Sequence, residues 1–182
     1  MRAALAAIAL LAASPAAAQA QAPQPGPASA VVRATFVVSD IERSKRFYAY
    51  AFGYTVKFDG LIGNAENRVL LALPRDRNAR FVILDGERTI LGKTHEAVGI
   101  GLLAFPSQTK PRLAQPRGNR LASGQAMLAI VTSDIATVIA RLRELGAPIL
   151  AGPVIGHGGR ETEIVTSDPD GTRIHVVEQL PG

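Results

Sequence analysis

The sequence repeats its own layout, and that repeat limits the fold more than any other feature. "ATFVVSDIERSKRFYAYAFGYTV" and "AMLAIVTSDIATVIARLRELGAPIL" share one plan: strand, Ser-Asp-Ile, amphipathic helix, glycine, strand. Asp40 and Asp134 are the aligned aspartates, 94 positions apart. Ser39 with Glu42 reads as a capping box, and Gly53 as the stop of the first helix. Ile41, Phe47, Tyr48, Ala51 and Phe52 keep close to helical spacing. Ile135, Val138, Ile139, Leu142 and Leu145 form the apolar stripe of the second helix. "YTVKFDG", "ARFVILDG", "VGIGLLAF", "ETEIVTSD" and "TRIHVVEQ" read as strands, the last two joined by a turn over Asp168 to Gly171. "NRVLLALPRD" reads as a short helix or turn, cut by Pro74.

Each half therefore reads βαβββ, and one half alone cannot bury both faces of its sheet. The predicted fold is α+β: two βαβββ modules forming a curved, mainly antiparallel sheet around a cleft, with helices on the outer face. Module one spans 31–105 and module two 124–179, with a proline-punctuated linker at 106–123. The repeat leaves open whether the modules pair within one chain or across a homodimer.

The N-terminus has a different character. "MRAALAAIALLAASPAAAQA" carries one basic residue, an apolar run and the small-x-small pattern Ala18-Gln19-Ala20. The run, roughly 10 residues, is too short to span about 30 Å of hydrocarbon. Residues 1–20 are read as a signal peptide and 21–30 as a flexible lead-in, an uncleaved anchor being the alternative. The expected location is periplasmic or secreted, with no membrane contact in the mature form. The chain has no cysteine, which excludes a lipoprotein, disulfides, a thiolate nucleophile and cysteine-held metals. Net charge is +5 and is spread along the chain, which has three tyrosines and no tryptophan. No nucleic-acid partner is expected from that pattern, and mild attraction of small anions is.

"VVSDIERSKRFYAYAFGY", "IVTSDIATVIARLRELGAPI" and "DPDGTRIHVVE", in that order and spacing, resemble the vicinal oxygen chelate superfamily. That group contains glyoxalase I, extradiol dioxygenases and bleomycin-resistance proteins. The resemblance runs from Val31 to Gln179. It implies a cleft in which His, Gln or Glu side chains from the first and last strand of each module hold a divalent metal. Carried over by position, the ligand places fall on Arg33, Ala104, Met127 and His175. Alanine has no donor, a thioether is a soft ligand and arginine repels a cation. Only His175 is of ligand type; His95, His157, Glu161 and Glu163 are substitutes off the pattern. No metal or other cofactor is therefore expected, a divalent metal being the alternative.

Alternation along the strands supplies a cleft lining. Arg33, Thr35 and Val37 share one face, with Val32, Ala34 and Phe36 under the helices. The same rule is applied to Ile100, Leu102 and Ala104, with Leu103 and Phe105 behind, and to Met127, Ala129 and Val131, then Arg173, His175 and Val177. The expected ligand-binding set is Arg33, Thr35, Leu102, Met127, Arg173 and His175; catalytic residues are unassigned. It suits a small molecule with an apolar body and a polar or anionic end. Either arginine can face that ligand or snorkel to solvent at the rim. "GHGGRETE" reads as a hairpin or a lid, "THEA" as a loop pair, and Asp168 and Asp170 as turn builders. The functional expectation is an exported, metal-free small-molecule binder. The alternative is a metal-dependent lyase or dioxygenase with a rearranged site.

Overall fold

Two aspartates start the two long helices. Asp40 accepts a hydrogen bond from the Arg43 amide at 3.0 Å, and Asp134 one from the Thr137 amide at 2.9 Å. The predicted Ser39–Glu42 capping box is thus replaced by an aspartate cap. The Ser39 amide is turned to Asp170, and Glu42 to Arg80 and Lys45. Gly53 ends the first helix in the left-handed region, at φ 71°.

The computed structural model describes residues 31–86, 88–90, 92–95, 98–105, 114, 116, 120–156 and 159–179. The expected signal peptide and lead-in lie outside them, as do His157, Glu96 and most of the linker. The elements of module one are β1 (Arg33–Val37), α1 (Ile41–Phe52), β2 (Thr55–Ile62), α2 (Ala65–Leu70), β3 (Ala79–Asp85), β4 (Arg88–Ile90), β5 (Lys93–His95) and β6 (Gly99–Ala104). Module two has β7 (Met127–Thr132), α3 (Ile135–Glu144), β8 (Ile149–Gly156), β9 (Glu161–Ser167) and β10 (Arg173–Glu178). Two four-stranded sheets run β1-β6-β3-β2 and β7-β10-β9-β8. In each, the first strand pairs parallel to the last and the other pairs are antiparallel. The fold is α+β with two repeated modules.

Module one is the embellished copy. α2 follows β2, which agrees with a short helix or turn cut before Pro74. The β4–β5 hairpin stands where module two has only a turn, and it puts His95 on a strand rather than in the predicted loop pair. The glycine-rich stretch after β8 joins an antiparallel pair, as a hairpin should. Among the described residues, no helix is long and apolar enough to cross a membrane.

One apolar core spans both modules on the helix side. Phe47, Tyr48 and Ala51 of α1 pack with Val82, Leu84, Ile100 and Leu102, and α3 packs Val138 and Leu142 with Ile164, Ile174 and Val176. Burying each of the larger side chains is worth about 1.5–3 kcal/mol. Phe47 and Tyr48 meet edge to face, their centroids 5.2 Å apart.

The modules pair within one chain through a polar seam laid over this core. Tyr48 donates its hydroxyl to Asp168 Oδ2 at 3.0 Å, and the Ser39 amide donates to Asp170 Oδ2 at 3.0 Å. Arg43 Nη2 reaches the Pro169 carbonyl at 3.2 Å. The second oxygen of Asp168 accepts from the Asp170 and Thr172 amides at 3.0 and 2.8 Å. Asp168 is buried, which raises its carboxyl above the usual range although these donors pull it back. The predicted turn-building aspartates therefore also hold the modules together.

A second, smaller cluster lies on the other face of module one. Leu73, Ala79 and Leu103 are buried there with Ile62, Leu71, Phe81 and Phe105 packed around them. The chain after α2 covers this end of the sheet. Arg68 anchors it, donating to the Pro74 carbonyl, to the Arg77 carbonyl at 2.8 Å and to Asn78 Oδ1 at 3.0 Å.

Candidate functional site

The strand ladders fix which side chains turn away from the helices. In module one Arg33 stands opposite Gly99 and Thr35 opposite Gly101; in module two Met127 stands opposite Arg173 and Ala129 opposite His175. Ile100, Leu102, Ile174 and Val176 lie in the helix-side core, so their neighbours Gly101, Leu103, Arg173, His175 and Val177 face the other way.

This corrects the predicted lining at β6. Leu102 is fully buried under the helices, and Ile100 and Ala104 share its side, while Leu103 and Phe105 belong to the opposite cluster. An all-apolar strand does not mark its faces, so alternation alone gives β6 the wrong parity. With the parity corrected, the module-one equivalent of His175 is Gly101, not Ala104.

Arg33 and Thr35 gather around Gly101. A Cβ on that glycine would lie 2.5 Å from Thr35 Oγ1, 3.0 Å from Phe81 and 3.2 Å from the Arg33 stem, so the missing side chain is what lets them converge. The Arg33 guanidinium carbon lies 5.7 Å from the centroid of Phe81, within cation–π range. Phe58 stands beside Phe81 at 6.4 Å. The result is an exposed cation over an aromatic floor.

Module two gathers Met127, Arg173 and His175. Arg173 is buried at 3% exposure and donates from Nη2 to the Arg120 carbonyl at 3.3 Å, so it does not snorkel to a rim. His175 Nε2 lies 2.7 Å from Glu163 Oε2. An ionised carboxylate only accepts, so Nε2 carries the proton, and in the neutral ring Nδ1 presents a lone pair. Gly156 makes room for this pair, since a Cβ there would sit 1.7 Å from Glu163 Oε1. Met127 is half-exposed beside them.

Arg33 and Arg173 occupy the same rung of the two ladders but come from opposite strands, the first strand in module one and the last in module two. Phe81, Gly101, Gly156 and the pairing role of Glu163 were missed in the sequence. Alternation in β9 against β10 carries the signal for Glu163, since residues diagonal across an antiparallel pair share a face.

These residues do not fit the metal that the fold family uses. The four positions, with parity corrected, are Arg33, Gly101, Met127 and His175, and the histidine is bonded to Glu163. Among the described residues, no group of three or more His, Cys, Asp or Glu side chains is placed to hold a metal ion.

A family model for the Glyoxalase/Bleomycin resistance protein/Dioxygenase superfamily matches residues 30–176. The chain belongs to that superfamily. Solved structures share the superfamily fold at low identity. A glyoxalase family protein from Bacillus cereus aligns at TM-score 0.65 and 16% identity, over 86% of this chain and 99% of that one. Trypanothione-dependent glyoxalase I from Leishmania major aligns at 0.54 and 18%, over 83% and 87%. Glyoxalase I from Zea mays, in a mutant form, aligns at 0.59 and 17%, over 82% of this chain but 44% of the maize chain. The superfamily member described here thus spans under half the length of the maize enzyme. No curated protein matches the sequence.

Proposed function

We propose that this superfamily member is an exported protein that binds a small, partly apolar or anionic molecule without the metal typical of the fold. The observation that carries the reading is Arg33, a fixed positive charge over Phe81 at a place where the family pattern puts a metal ligand. A guanidinium supplies two parallel donors to a carboxylate or phosphate, which replaces part of what a cation gives. Val37, on the same face of β1 as Arg33 and about half-exposed, supplies apolar surface for the body of the ligand; Met127, also about half-exposed, is its counterpart on the module-two face. His175, donating to Glu163, offers a ring nitrogen rather than a free imidazole pair.

The deciding experiment is elemental analysis of protein purified without added chelator, followed by titration with small aryl carboxylates. The expected result is substoichiometric metal and binding that Arg33→Ala weakens by about tenfold, the loss of a charge-assisted pair. Near-stoichiometric divalent metal that disappears in His175→Ala overturns the reading in favour of a metal-dependent lyase or dioxygenase with a rearranged site. Export is tested by N-terminal sequencing of the periplasmic fraction, with Gln21 expected as the first residue.

A further inference from the structure

A cavity of about 490 Å³ lies on the helix side, where the two modules meet. Its size falls in the small-molecule range of roughly 300–1,000 Å³. α1 contributes Arg43, Arg46 and Phe47, the connection from α3 to β8 contributes Ala147 and Pro148, and the β9–β10 turn closes the remaining side. Phe47, 2% exposed, gives it an apolar base.

The charged groups around this cavity are unequally committed. Arg43 is engaged with Ser39 Oγ at 3.2 Å and the Pro169 carbonyl at 3.2 Å, and it approaches Asp170 at 3.9 Å. Asp168 accepts from Tyr48 and from two backbone amides, and Asp170 accepts from the Ser39 amide. Arg46, three residues after Arg43 and so on the same side of α1, lines the cavity and has no hydrogen bond or ion pair among the described residues. The cavity thus joins an apolar base to one uncommitted guanidinium, while its two carboxylates are turned to donors of the seam.

We propose that this cavity is a second ligand site, separate from the Arg33 face, that takes a small organic carboxylate with a flat apolar body. The carboxylate meets Arg46, and the body lies against Phe47, Ala147 and Pro148. Because the walls come from both modules, an occupant fastens one to the other and raises the melting temperature of the pair.

The test is a titration of the ¹⁵N-labelled full chain with 2-naphthoate, and with 2-naphthamide as its neutral counterpart. The expected result is saturable shifts of the Gly146, Ala147 and Gly171 amides, with an affinity that Arg46→Glu lowers by about tenfold or more. Arg33→Ala leaves those shifts in place, which separates this site from the one proposed above. Arg46 is exposed and makes none of the hydrogen bonds of the seam, so a dispersed spectrum of the variant checks that it folds. Absence of seam shifts, their persistence in Arg46→Glu, or equal binding of the amide overturns the proposal.

Discussion

Gly101 and His175 hold the same place in the two modules, in the last strand beside the first. In module one the place is empty of side chain, and Thr35, Phe81 and Arg33 close in on it. In module two an imidazole fills it and bonds to Glu163, which in turn depends on Gly156 for space. The helix-side neighbours are alike, Ile100 with Ile174 and Leu102 with Val176, all in one core. The repeat is thus kept where it builds the fold and abandoned where side chains face away from the helices. Divergence on one face of a strand costs the other face nothing, because alternate residues do not share neighbours.

The comparison breaks most visibly if the parity of β6 is wrong. Leu102→Ala is expected to cost about 3 kcal/mol in a urea denaturation series, as for a fully buried leucine. A loss under about 0.5 kcal/mol would return Leu102 to an exposed face. The seam comes next: Tyr48→Phe leaves a buried Asp168 oxygen without its hydroxyl donor and should cost about 1–3 kcal/mol. The two glycines sharpen the contrast further. Gly101→Ala meets the Phe81 ring and the Thr35 hydroxyl and is expected to cost about 1–3 kcal/mol. Gly156→Ala meets only the movable end of Glu163, so stability should change by less than about 0.5 kcal/mol, while the ¹⁵N resonances of His175 shift as its partner is displaced.

The smallest effect concerns acid. Asp59 of β2 accepts both Arg80 Nε and Nη2 at 2.8 Å and Lys45 at 2.7 Å, and its carboxyl pKa is lowered to about 2, chiefly by Arg80. An unfolded aspartate titrates near about 3.9. The network's contribution is therefore complete above about pH 4 and is lost as the pH falls through about 2. Asp59→Asn should flatten that acid limb of the stability curve and leave the neutral region nearly level. An unchanged acid limb in Asp59→Asn would show that the network is too well solvated to matter.

Much of this arrangement was legible in the residues. The aligned Asp40 and Asp134, the helical stripes and the turn after β9 suffice for the two-module plan, because periodicity and turn chemistry are local. Arg33, Thr35, Met127, Arg173 and His175 were placed on one face of their strands by the same alternation that the ladders show. Leu102 falls on the opposite face from the expected one, since "GIGLLAF" is apolar on both sides and only the partner strands decide which side the helix covers. The Ser39–Glu42 box does not form, because the Ser39 amide that Glu42 would take is claimed by Asp170, 131 residues away, and Asp40 caps instead. Long-range partners of that kind leave no periodic trace.

The seam runs in one direction. The β9–β10 turn of module two plugs into α1 of module one, and the corresponding place in module one holds the β4–β5 hairpin instead of a matching turn. An attachment of that kind is heterologous: plug and socket are different surfaces, and a single chain carries one of each. Here the chain closes on itself, so both are occupied. A second copy that exchanged modules with the first would remake the same bonds and gain none. A pairing of two closed copies has to use other surfaces, and its strength should be insensitive to Tyr48→Phe, whereas an exchange of modules would carry the seam with it.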